Sequence, residues 1–467
     1  MKEYRFDALV IGGGAAGMSA AQSLLDKNFS VALVEREKEL GGILLQCIHN
    51  GFGVHEFKEE LTGPEYAERW AQMVQPYQVG DGSFQGLAKT QGHAVTQGQP
   101  GTVDLKRPQG HPAPQSETGL KGQPGKLNLF LDTTVLDLQH LEDGSFAAGC
   151  ANPDRGFLQI TARVVVLTAG CRERNRGNIK IPGTRPAGVY TAGLAQRMVN
   201  MEGMLPGKNA VIVGSGDIGL IMARRLTWSG CKVHGVIEIQ PYPSGLTRNI
   251  VQCLNDFQIP LYLSHVVTNI RGKHRIEAVE ITPLEEGRPN LNKTFVQQCD
   301  TLLLSVGLVP SAELAVKAGA ELNPITGGPL VDSTLMCSVP GLFAAGNVLH
   351  VHDLVDYVSE EAKRAGHQAA LYLEGTTPQR QIRVKPGSNV RYLVPGSFNP
   401  DAPHKLLFRP MIVKNAAKLT ISLDGTIIKE QKKNHVQPSE MVQVSLGTIN
   451  FDDLPLTKDS VLEVSLL

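Results

Sequence analysis

The pattern of apolar and small residues near the N-terminus predicts a strand, a helix and a second strand. An apolar run covers Ala8 to Ile11, a helix of small residues is expected from Ala15 to about Lys27, and another apolar run covers Val31 to Val34. Glycines separate the first run from the helix. This order is that of a βαβ unit, from which parallel sheets are built.

A second unit of the same kind lies in the middle of the chain. Its strand covers Ala210 to Val213, its turn begins at Gly214, its helix runs to about Ser229, and its second strand covers Lys232 to Ile237. The two units are the only internal repeat that we find in the sequence. They predict the α/β class, with two Rossmann-like domains of the three-layer ββα type.

The segments around these units carry weaker patterns. We expect a helix over Gly63 to Gln75, a strand-like stretch over Asn128 to Leu138 with its hairpin partner near Phe157 to Ile160, and a buried strand over Val164 to Ala169. Residues from about 80 to 126 are rich in Gly, Gln and Pro and bury too little apolar surface to offset the entropy of ordering. We expect a mobile insertion there.

The chain changes character near its C-terminus. A strand follows Gly341, and a long helix is expected from about Asp353, acting as N-cap, to Leu373. The charged residues at 360–364 predict a solvated face of that helix. Beyond Thr377, alternating stretches around an Asp-Gly turn predict a small antiparallel β-domain.

Charge and the N-terminal sequence exclude several classes of partner. The 45 Lys and Arg residues balance the 45 Asp and Glu residues, so net charge attracts neither nucleic acid nor an anionic membrane. The apolar stretch before Gly12 is too short for a transmembrane segment and is wrongly flanked for a signal peptide. We therefore expect a cytoplasmic protein.

The seven cysteines favour redox chemistry on a bound cofactor. They show no CxxC or CxxxxC spacing, which argues against a disulfide framework, a zinc ribbon and a cysteine-ligated iron–sulfur cluster. No metal site is predicted. Without such cysteine centres, we expect electron transfer to depend mainly on a bound cofactor.

The glycines of the first unit have the spacing of a dinucleotide site. Gly12, Gly14 and Gly17 follow a strand and open a helix. A side chain at the first two would block the turn or the approach of a pyrophosphate, and the third lets the helix pack on the strand. Glu35 ends the second strand, where it can accept both ribose hydroxyls of an adenosine. The alternative is a glycine turn that holds no ligand.

The second unit repeats this spacing with Gly214, Gly216 and Gly219. Its second strand ends at Glu238. A carboxylate at that point repels a 2′-phosphate, so the sequence favours NADH over NADPH. The alternative is a decayed duplicate that binds nothing, against which the three intact glycines argue.

Together these features resemble the two-dinucleotide flavoprotein superfamily that includes the pyridine nucleotide-disulfide oxidoreductases. Further matching segments are Gly41-Gly42, Thr168–Arg174, Leu302–Pro310 and Gly341–Asn347. The resemblance implies FAD on the first unit and NAD, less favourably NADP, on the second. The cofactor-binding residues that it implies are Gly12, Gly14, Ala16, Gly17, Glu35, Arg36, Gly42, Ala169, Gly170, Gly214, Gly216, Gly219, Glu238, Gly307, Gly346 and Asn347.

The resemblance also implies a domain order. An FAD domain of residues 1–205 and 331–376 is split around an NAD(P) domain of residues 206–330, and a β-domain covers residues 380–467. Asn347 stands where the superfamily usually has an Asp that holds the flavin ribitol. An amide can donate and accept hydrogen bonds there, so FAD binding is still expected.

Three longer segments are similar to a narrower group. Residues 41–53, 181–203 and 346–366 resemble the bacterial FAD-dependent oxidoreductase often encoded beside a glycerol-3-phosphate dehydrogenase. They are more distantly similar to flavoprotein subunits of sarcosine oxidase, opine dehydrogenase and hydrogen cyanide synthase. The resemblance implies an electron-transfer partner, either a glycerol-3-phosphate dehydrogenase or a small cysteine-bearing protein.

Cys47 and His49, in the loop after Gly42, are the candidate catalytic residues. Cys47 has no CxxxxC partner, so it cannot reduce a disulfide by the usual intramolecular route, but it could cycle as a sulfenate. The alternative is a buried packing residue. His49 is a candidate proton donor to the flavin or a histidine that only satisfies loop carbonyls. By resemblance, the N-terminus of the helix near Asp353 points at the flavin and stabilises negative charge there.

These features predict an FAD-dependent oxidoreductase that exchanges hydride with NAD(P)H and passes electrons to or from a second partner. One alternative is the flavoprotein subunit of a sarcosine- or opine-type amine dehydrogenase. The absence of cysteine after Cys337 counts against those members that use a C-terminal iron–sulfur centre. The other alternative is a non-catalytic subunit that keeps FAD as part of its fold.

Overall fold

A computed structural model describes residues 2–79, 125–376, 381–401 and 405–467. Nearly all of the insertion expected at 80–126 lies outside these residues, so its predicted mobility stays a prediction. Three larger sheets organise the described chain, two of them built around parallel strands with helices. The predicted α/β class is confirmed.

The described residues contain eight α-helices and five short 3₁₀ helices. The α-helices, labelled in chain order, are α1 Ala15–Leu25, α2 Gly63–Val74, α3 Arg176–Ile179, α4 Ala192–Asn200, α5 Asp217–Trp228, α6 Thr247–Cys253, α7 Glu313–Lys317 and α8 Val355–Leu373. The 3₁₀ helices are Gly42–Gln46, Gln75–Tyr77, Asn255–Phe257, Leu291–Lys293 and Gly346–Val348.

The first sheet contains the N-terminal unit. Its strands, in spatial order, are Lys126–Phe130, Ser30–Val34, Lys2–Ile11, Gly156–Leu167, Phe146–Asn152 and Thr134–His140, and Leu342–Ala344 also pairs with Gly156–Leu167. Phe146–Asn152 runs antiparallel to both of its neighbours, Gly156–Leu167 and Thr134–His140, and the other pairs are parallel. The run Val164–Leu167 is fully buried, as a parallel strand covered on both faces requires.

Helices α1 and α8 pack on each other beside this sheet through small residues. A Cβ on Gly366 of α8 would lie 2.3 Å from the carbonyl oxygen of Ala20 in α1. The two backbones therefore approach more closely than any side chain at residue 366 allows. This contact joins the N-terminal unit to the helix that follows Asn347.

The second sheet contains the repeated unit and is entirely parallel. Its strands, in spatial order, are Val189–Thr191, Thr301–Leu304, Asn209–Val213, Lys232–Glu238 and Leu261–Leu263. An antiparallel sheet follows it, with strands His265–Gly272, Ile276–Glu285, Arg288–Pro289 and Phe295–Gln298. Two short pairs join Cys171–Glu173 with Leu308–Pro310, and Asn50–Phe52 with Leu61–Thr62.

The C-terminal residues form a β-structure with its own buried core. Its main sheet has strands Ser397–Phe398, Ile382–Pro386, Val461–Leu466, Lys414–Leu423 and Thr426–Val436, in spatial order. Lys405–Phe408 pairs with Val442–Ser445 beside it. The core contains Phe398, Phe408 and Ile421. The predicted domain bounds remain a prediction.

Three local predictions were wrong. The stretch 128–138 is divided between two strands, and its hairpin partner is Phe146–Asn152, because the chain turns back before Gly156. Helix α8 begins at Val355 with Leu354 as its cap residue, and the Asp353 carboxylate instead accepts hydrogen bonds from the C-terminal residues. The charges at 360–364 are not all solvated, because Glu361 is buried.

No helix within the described ranges has the length and apolar character that a bilayer crossing needs.

Candidate functional site

A cavity of about 2730 Å³ lies where strands of both parallel sheets end. Gly12, Glu35 and Thr168 follow strands of the first sheet and line it. Gly214 and Glu238 occupy the matching positions of the second sheet and line it too. The carboxyl ends of parallel strands are where α/β proteins bind their ligands, and here two such edges open into the same space.

The first glycine turn has the backbone geometry that a phosphate cradle needs. Gly12 has a φ of +108°, which favours glycine, and its N–H donates to the carbonyl of Val34 at 2.8 Å. A Cβ on Gly17 would lie 1.7 Å from the Gly12 oxygen, so this glycine allows α1 to approach the strand. A Cβ on Gly14 would meet only the Gly41 oxygen at 3.9 Å. Gly14 thus leaves open space at the N-terminus of α1.

The carboxylate of Glu35 closes this cradle. It is 6% exposed, and its oxygens accept the N–H of Gly13 at 2.6 Å and that of Glu37 at 2.9 Å. A carboxylate has about four acceptor positions, so room for both hydroxyls of a ribose remains. The residues present therefore fit the adenosine half of a dinucleotide.

The second turn repeats the same geometry. Gly214 has a φ of +96°, and a Cβ on Gly219 would lie 2.6 Å from the Gly214 oxygen. A Cβ on Gly216 would meet nothing within 4 Å. This glycine again leaves space at a helix N-terminus, that of α5, where positive dipole charge favours a phosphate.

Glu238 differs from Glu35 in its hydrogen bonds. Its carboxylate accepts the Ser215 N–H at 3.0 Å, the Ser215 hydroxyl at 2.6 Å, the Ser244 hydroxyl at 3.0 Å and the Gln240 N–H at 2.9 Å. Its acceptor positions are therefore filled by the protein. A ribose at this carboxylate must displace a serine hydroxyl, which can rotate.

Comparison with known proteins decides the family. The model of the pyridine nucleotide-disulphide oxidoreductases matches residues 6–370. The chain belongs to this family. Members of the pyridine nucleotide-disulphide oxidoreductase family contain FAD and use NAD(P)H, so the predicted enzyme class and the use of FAD with a nicotinamide dinucleotide are confirmed. The preference for NAD over NADP stays a prediction.

Individual family members are distant in sequence. The hydrogen cyanide synthase subunit HcnB of Pseudomonas protegens is 23% identical over 384 residues, covering 78% of this chain and 69% of that protein. The thioredoxin reductase of Treponema pallidum is 22% identical and covers 80% of this chain and 98% of that one. The NADH oxidase of Methanocaldococcus jannaschii matches at 26% identity, but over only 37% of its length.

Solved structures of the family share the fold. The thioredoxin reductase of T. acidophilum superposes with a TM-score of 0.57 at 20% identity, covering 78% of this chain and 98% of that one. The family match ends at residue 370. The C-terminal β-structure of this chain lies beyond that match.

The cavity brings together most of the residues that the sequence pointed to. Its wall contains Gly12, Gly14, Ala16, Glu35, Arg36, Gly42, Ala169, Gly170, Gly214, Gly216, Glu238, Gly307, Asn347, Cys47 and His49. Gly17, Gly219 and Gly346 lie behind this wall, where the missing side chain lets neighbouring segments approach. Their assignment to cofactor binding or catalysis stays a prediction.

The sequence did not reveal a buried cluster behind Asn347. The Glu361 carboxylate accepts the Gly346 N–H at 2.7 Å, lies 3.0 Å from Nε2 of His350 and lies 3.1 Å from Nε2 of His352. The Nδ1 atoms of both histidines are buried without a partner among the described residues. Both imidazoles are therefore best satisfied when Nε2 carries the proton and donates to Glu361.

The charge state of this cluster follows from its contacts. Burial alone would raise the pKa of Glu361, but His352 and His350 hold it well below its usual range. Burial lowers the pKa of His350. We therefore assign an ionised carboxylate that fixes the loop from Gly346 to His352. His350 and His352 are two positions apart, and this spacing was the one signal in the sequence that could have indicated a partner shared by both side chains.

Helix α8 also holds the loop that carries the candidate catalytic residues. The buried carboxylate of Asp356 accepts the N–H groups of Gly53 at 3.2 Å, His55 at 3.1 Å and Glu56 at 2.7 Å. Asp356 thereby ties the first turn of α8 to the end of the loop after Cys47. The sequence analysis missed this residue, because its partners are backbone groups some three hundred positions away.

Cys47 lies in a setting that disfavours thiolate chemistry. Burial raises its pKa to about 12, although a contact with Gln196 acts in the opposite direction. Its sulfur lies 3.3 Å from the carbonyl oxygen of Ile43 and 3.8 Å from Oε1 of Gln196. The thiolate is the reactive form of cysteine. These contacts favour the packing role over a sulfenate cycle.

We expect Cys47→Ser to leave the rate of flavin reduction by NADH within about twofold of the unmodified protein. The raised pKa of Cys47 keeps its thiol protonated at neutral pH, so little reactive thiolate is lost in the variant. Stopped-flow absorbance measures this rate. Cys150→Ser is the matched control, since that cysteine is also buried but lies outside the cavity wall. A tenfold loss confined to Cys47→Ser would establish a redox role.

His49 keeps an acceptor free at the cavity. Nδ1 of its ring lies 3.1 Å from the carbonyl oxygen of Asn50, whereas Nε2 is buried and has no partner among the described residues. Burial lowers the pKa of His49, and Arg224 and Arg248 lower it further. Its ring packs on Phe52 at a centroid distance of 5.0 Å. His49 is therefore a neutral side chain with an unused nitrogen beside the site.

Proposed function

We propose that the chain holds FAD in the cradle of the first sheet and NAD(H) in the cradle of the second, and that hydride passes between them. The observation that carries this proposal is that two glycine turns, each closed by a buried carboxylate, open into one cavity. FAD, when bound, supplies the group that accepts or gives the hydride.

The residues of the first sheet have separate roles in this proposal. Gly12 and Gly14 admit the pyrophosphate to the N-terminus of α1, and Glu35 accepts the ribose hydroxyls. Asn347 holds the sugar-alcohol chain of FAD, and its Oδ1 also accepts the N–H of His352 at 3.0 Å. Glu361 positions this loop through Gly346.

The residues of the second sheet bind the nicotinamide dinucleotide. Gly214 and Gly216 admit its pyrophosphate to α5, and Glu238 stands at the ribose. The first turn of α8 carries positive dipole charge and lies beside the cavity, since Val355 lines it. That charge stabilises negative charge at the reactive end of the site.

The second electron partner in this proposal is a glycerol-3-phosphate dehydrogenase system. Support comes from the resemblance of residues 41–53, 181–203 and 346–366 to the flavoprotein that is often encoded beside that enzyme. The flow of electrons can run in either direction through the same residues.

A flavoprotein subunit of an amine dehydrogenase is the second candidate. Two similarities favour it: one to hydrogen cyanide synthase subunit HcnB, and one to a subunit of the opine oxidase of Rhizobium meliloti, which is 24% identical over 74% of this chain. The lack of cysteine after Cys337 separates this chain from subunits with a C-terminal iron–sulfur centre.

The proposed function is tested by adding reduced nucleotide to the yellow protein without oxygen. We expect NADH to bleach the flavin absorbance at about 450 nm. NADPH should act at least about tenfold more slowly, because the Glu238 carboxylate stands at the ribose and repels a 2′-phosphate. Glu238→Ala should reduce this difference.

The possible failures of this test have separate meanings. Bleaching by NADPH alone would overturn the role given to Glu238. Bleaching by neither nucleotide would overturn the hydride-transfer proposal and favour a non-catalytic subunit that keeps FAD. Bleaching by sarcosine or by an opine in place of NADH would favour the amine dehydrogenase.

A further inference from the structure

The C-terminal β-structure supplies one wall of the cavity, which we call the C-terminal wall. The wall contains Arg391, Tyr392, Arg409, Met411 and Ser439. The match to the family ends at residue 370. This part of the cavity is therefore built from residues that lie beyond the family match.

Contacts with the loop before α8 fix the position of the C-terminal wall. The Arg409 guanidinium donates to the carbonyl of Val351 at 3.0 Å and forms an ion pair with Asp353. The other carboxylate oxygen of Asp353 accepts the N–H of Met441 at 2.6 Å. The ring of Tyr392 meets that of His350 edge to face, with centroids 6.2 Å apart. The wall thus adjoins the segment between Asn347 and α8.

Arg391 gives the C-terminal wall an unpaired positive charge. Its backbone N–H donates to the carbonyl of Arg409 at 3.0 Å, which holds the residue in place. Its side chain is exposed at the cavity and forms no ion pair with any described residue. Asp353 also lines the cavity, but Arg409 already neutralises its carboxylate. The local charge therefore favours an anion.

The cavity has room for a third ligand beside two dinucleotides. Small-molecule sites reach roughly 1,000 Å³, so two of them leave space within the 2730 Å³ of this cavity. Met411 is 61% exposed and offers an apolar surface in the same wall as Arg391. A ligand with a charged group and a small organic body matches this combination.

We propose that the C-terminal wall binds the second substrate, and that this substrate is a small organic anion, a carboxylate or a phosphate monoester, whose charged group pairs with Arg391. The planar guanidinium suits both groups because it donates two parallel hydrogen bonds to either. This inference rests on the proposed function, since it places the substrate at the end of the site where FAD would react.

The test measures anion binding to the purified yellow protein without turnover. Sodium acetate and sodium phosphate are titrated separately at constant ionic strength, with chloride as the balancing salt, while the visible flavin spectrum is recorded. We expect a saturable spectral shift with one of the two anions. Acetate identifies the carboxylate class, and phosphate identifies the phosphate monoester class. Calorimetric titration of the same samples should give the same dissociation constant.

Variants connect this binding to the C-terminal wall. Arg391→Gln should raise the dissociation constant at least about tenfold, because a charge-assisted hydrogen bond is lost. Arg391→Lys should recover part of the affinity. Arg383→Gln is the matched control, since Arg383 is an exposed arginine of the same β-structure that does not line the cavity, and it should change nothing.

Different results would contradict the anion site and the proposed hydride transfer. An absent spectral shift with both anions, or an equal shift in Arg391→Gln, would overturn the substrate site. Bleaching by NADH is measured in the same samples. If NADH fails to bleach the unmodified protein while Arg391 still controls anion binding, the hydride-transfer proposal fails and the anion site stands.

Discussion

Replacing Gly14 by valine is expected to give a folded protein that purifies without its yellow colour. The added Cβ meets only one atom, 3.9 Å away, so the fold has space for it. Gly14 has a φ of −77°, which valine can adopt. The side chain instead fills the space in which the pyrophosphate would approach α1. The ratio of flavin to protein, measured by absorbance after purification, should fall at least about tenfold.

Gly216→Val is the matched control for this experiment. Gly216 has a φ of −65°, and its Cβ would likewise meet nothing within 4 Å. We expect this variant to keep its flavin but to lose bleaching by NADH. Gly17→Ala tests the opposite case, since its Cβ would lie 1.7 Å from the Gly12 oxygen and should disturb folding itself. A Gly14→Val protein that stays yellow would show that FAD binds elsewhere.

Replacing Glu361 by alanine is expected to destabilise the protein by about 3–5 kcal/mol, because three N–H donors then stay buried without an acceptor, at a cost of roughly 1–3 kcal/mol each. For a domain of this size the midpoint of thermal unfolding falls by roughly 10 °C. Release of flavin fluorescence on heating measures the midpoint. Glu360→Ala is the control, because Glu360 is exposed and pairs with Lys405 at the surface. Equal shifts in both variants would contradict the role of the buried cluster.

The dependence of this midpoint on pH tests the same cluster. His350 has a lowered pKa, so below about pH 6.5 the unfolded chain binds a proton that the folded chain does not. Glu361 has a lowered pKa, so it is protonated in the unfolded chain first as the pH falls below about 4.5. Both effects reduce stability on acidification. Glu361→Ala should lose less stability than the unmodified protein below about pH 4.5, because the other carboxylates with a lowered pKa, such as Glu65 and Asp300, still contribute.

The glycine cradles could be predicted from the sequence because each residue acts locally. Gly12 and Gly214 are needed for a positive φ, and Gly17 and Gly219 for the approach of a helix to its own strand. Such requirements concern residues within one βαβ unit. The sequence therefore indicated the fold class and both dinucleotide turns without information about distant segments.

The Glu361 cluster could not be predicted in the same way. A run of charges on a helix usually faces water, and nothing within α8 shows that Glu361 meets His350 and His352. Its burial follows from the path of the loop before the helix. The role of Asp353 was missed for a similar reason, because its partners Arg409 and Met441 belong to the C-terminal β-structure.

The contact between Gly366 and Ala20 also constrains the order in which the protein can fold. The helix after Gly14 has its docking partner near the far end of the family match, and contacts between such distant segments form slowly. During synthesis, α1 can complete its packing on α8 only after residue 366 has left the ribosome. The second sheet, whose strands lie within residues 189–304, can assemble in the meantime.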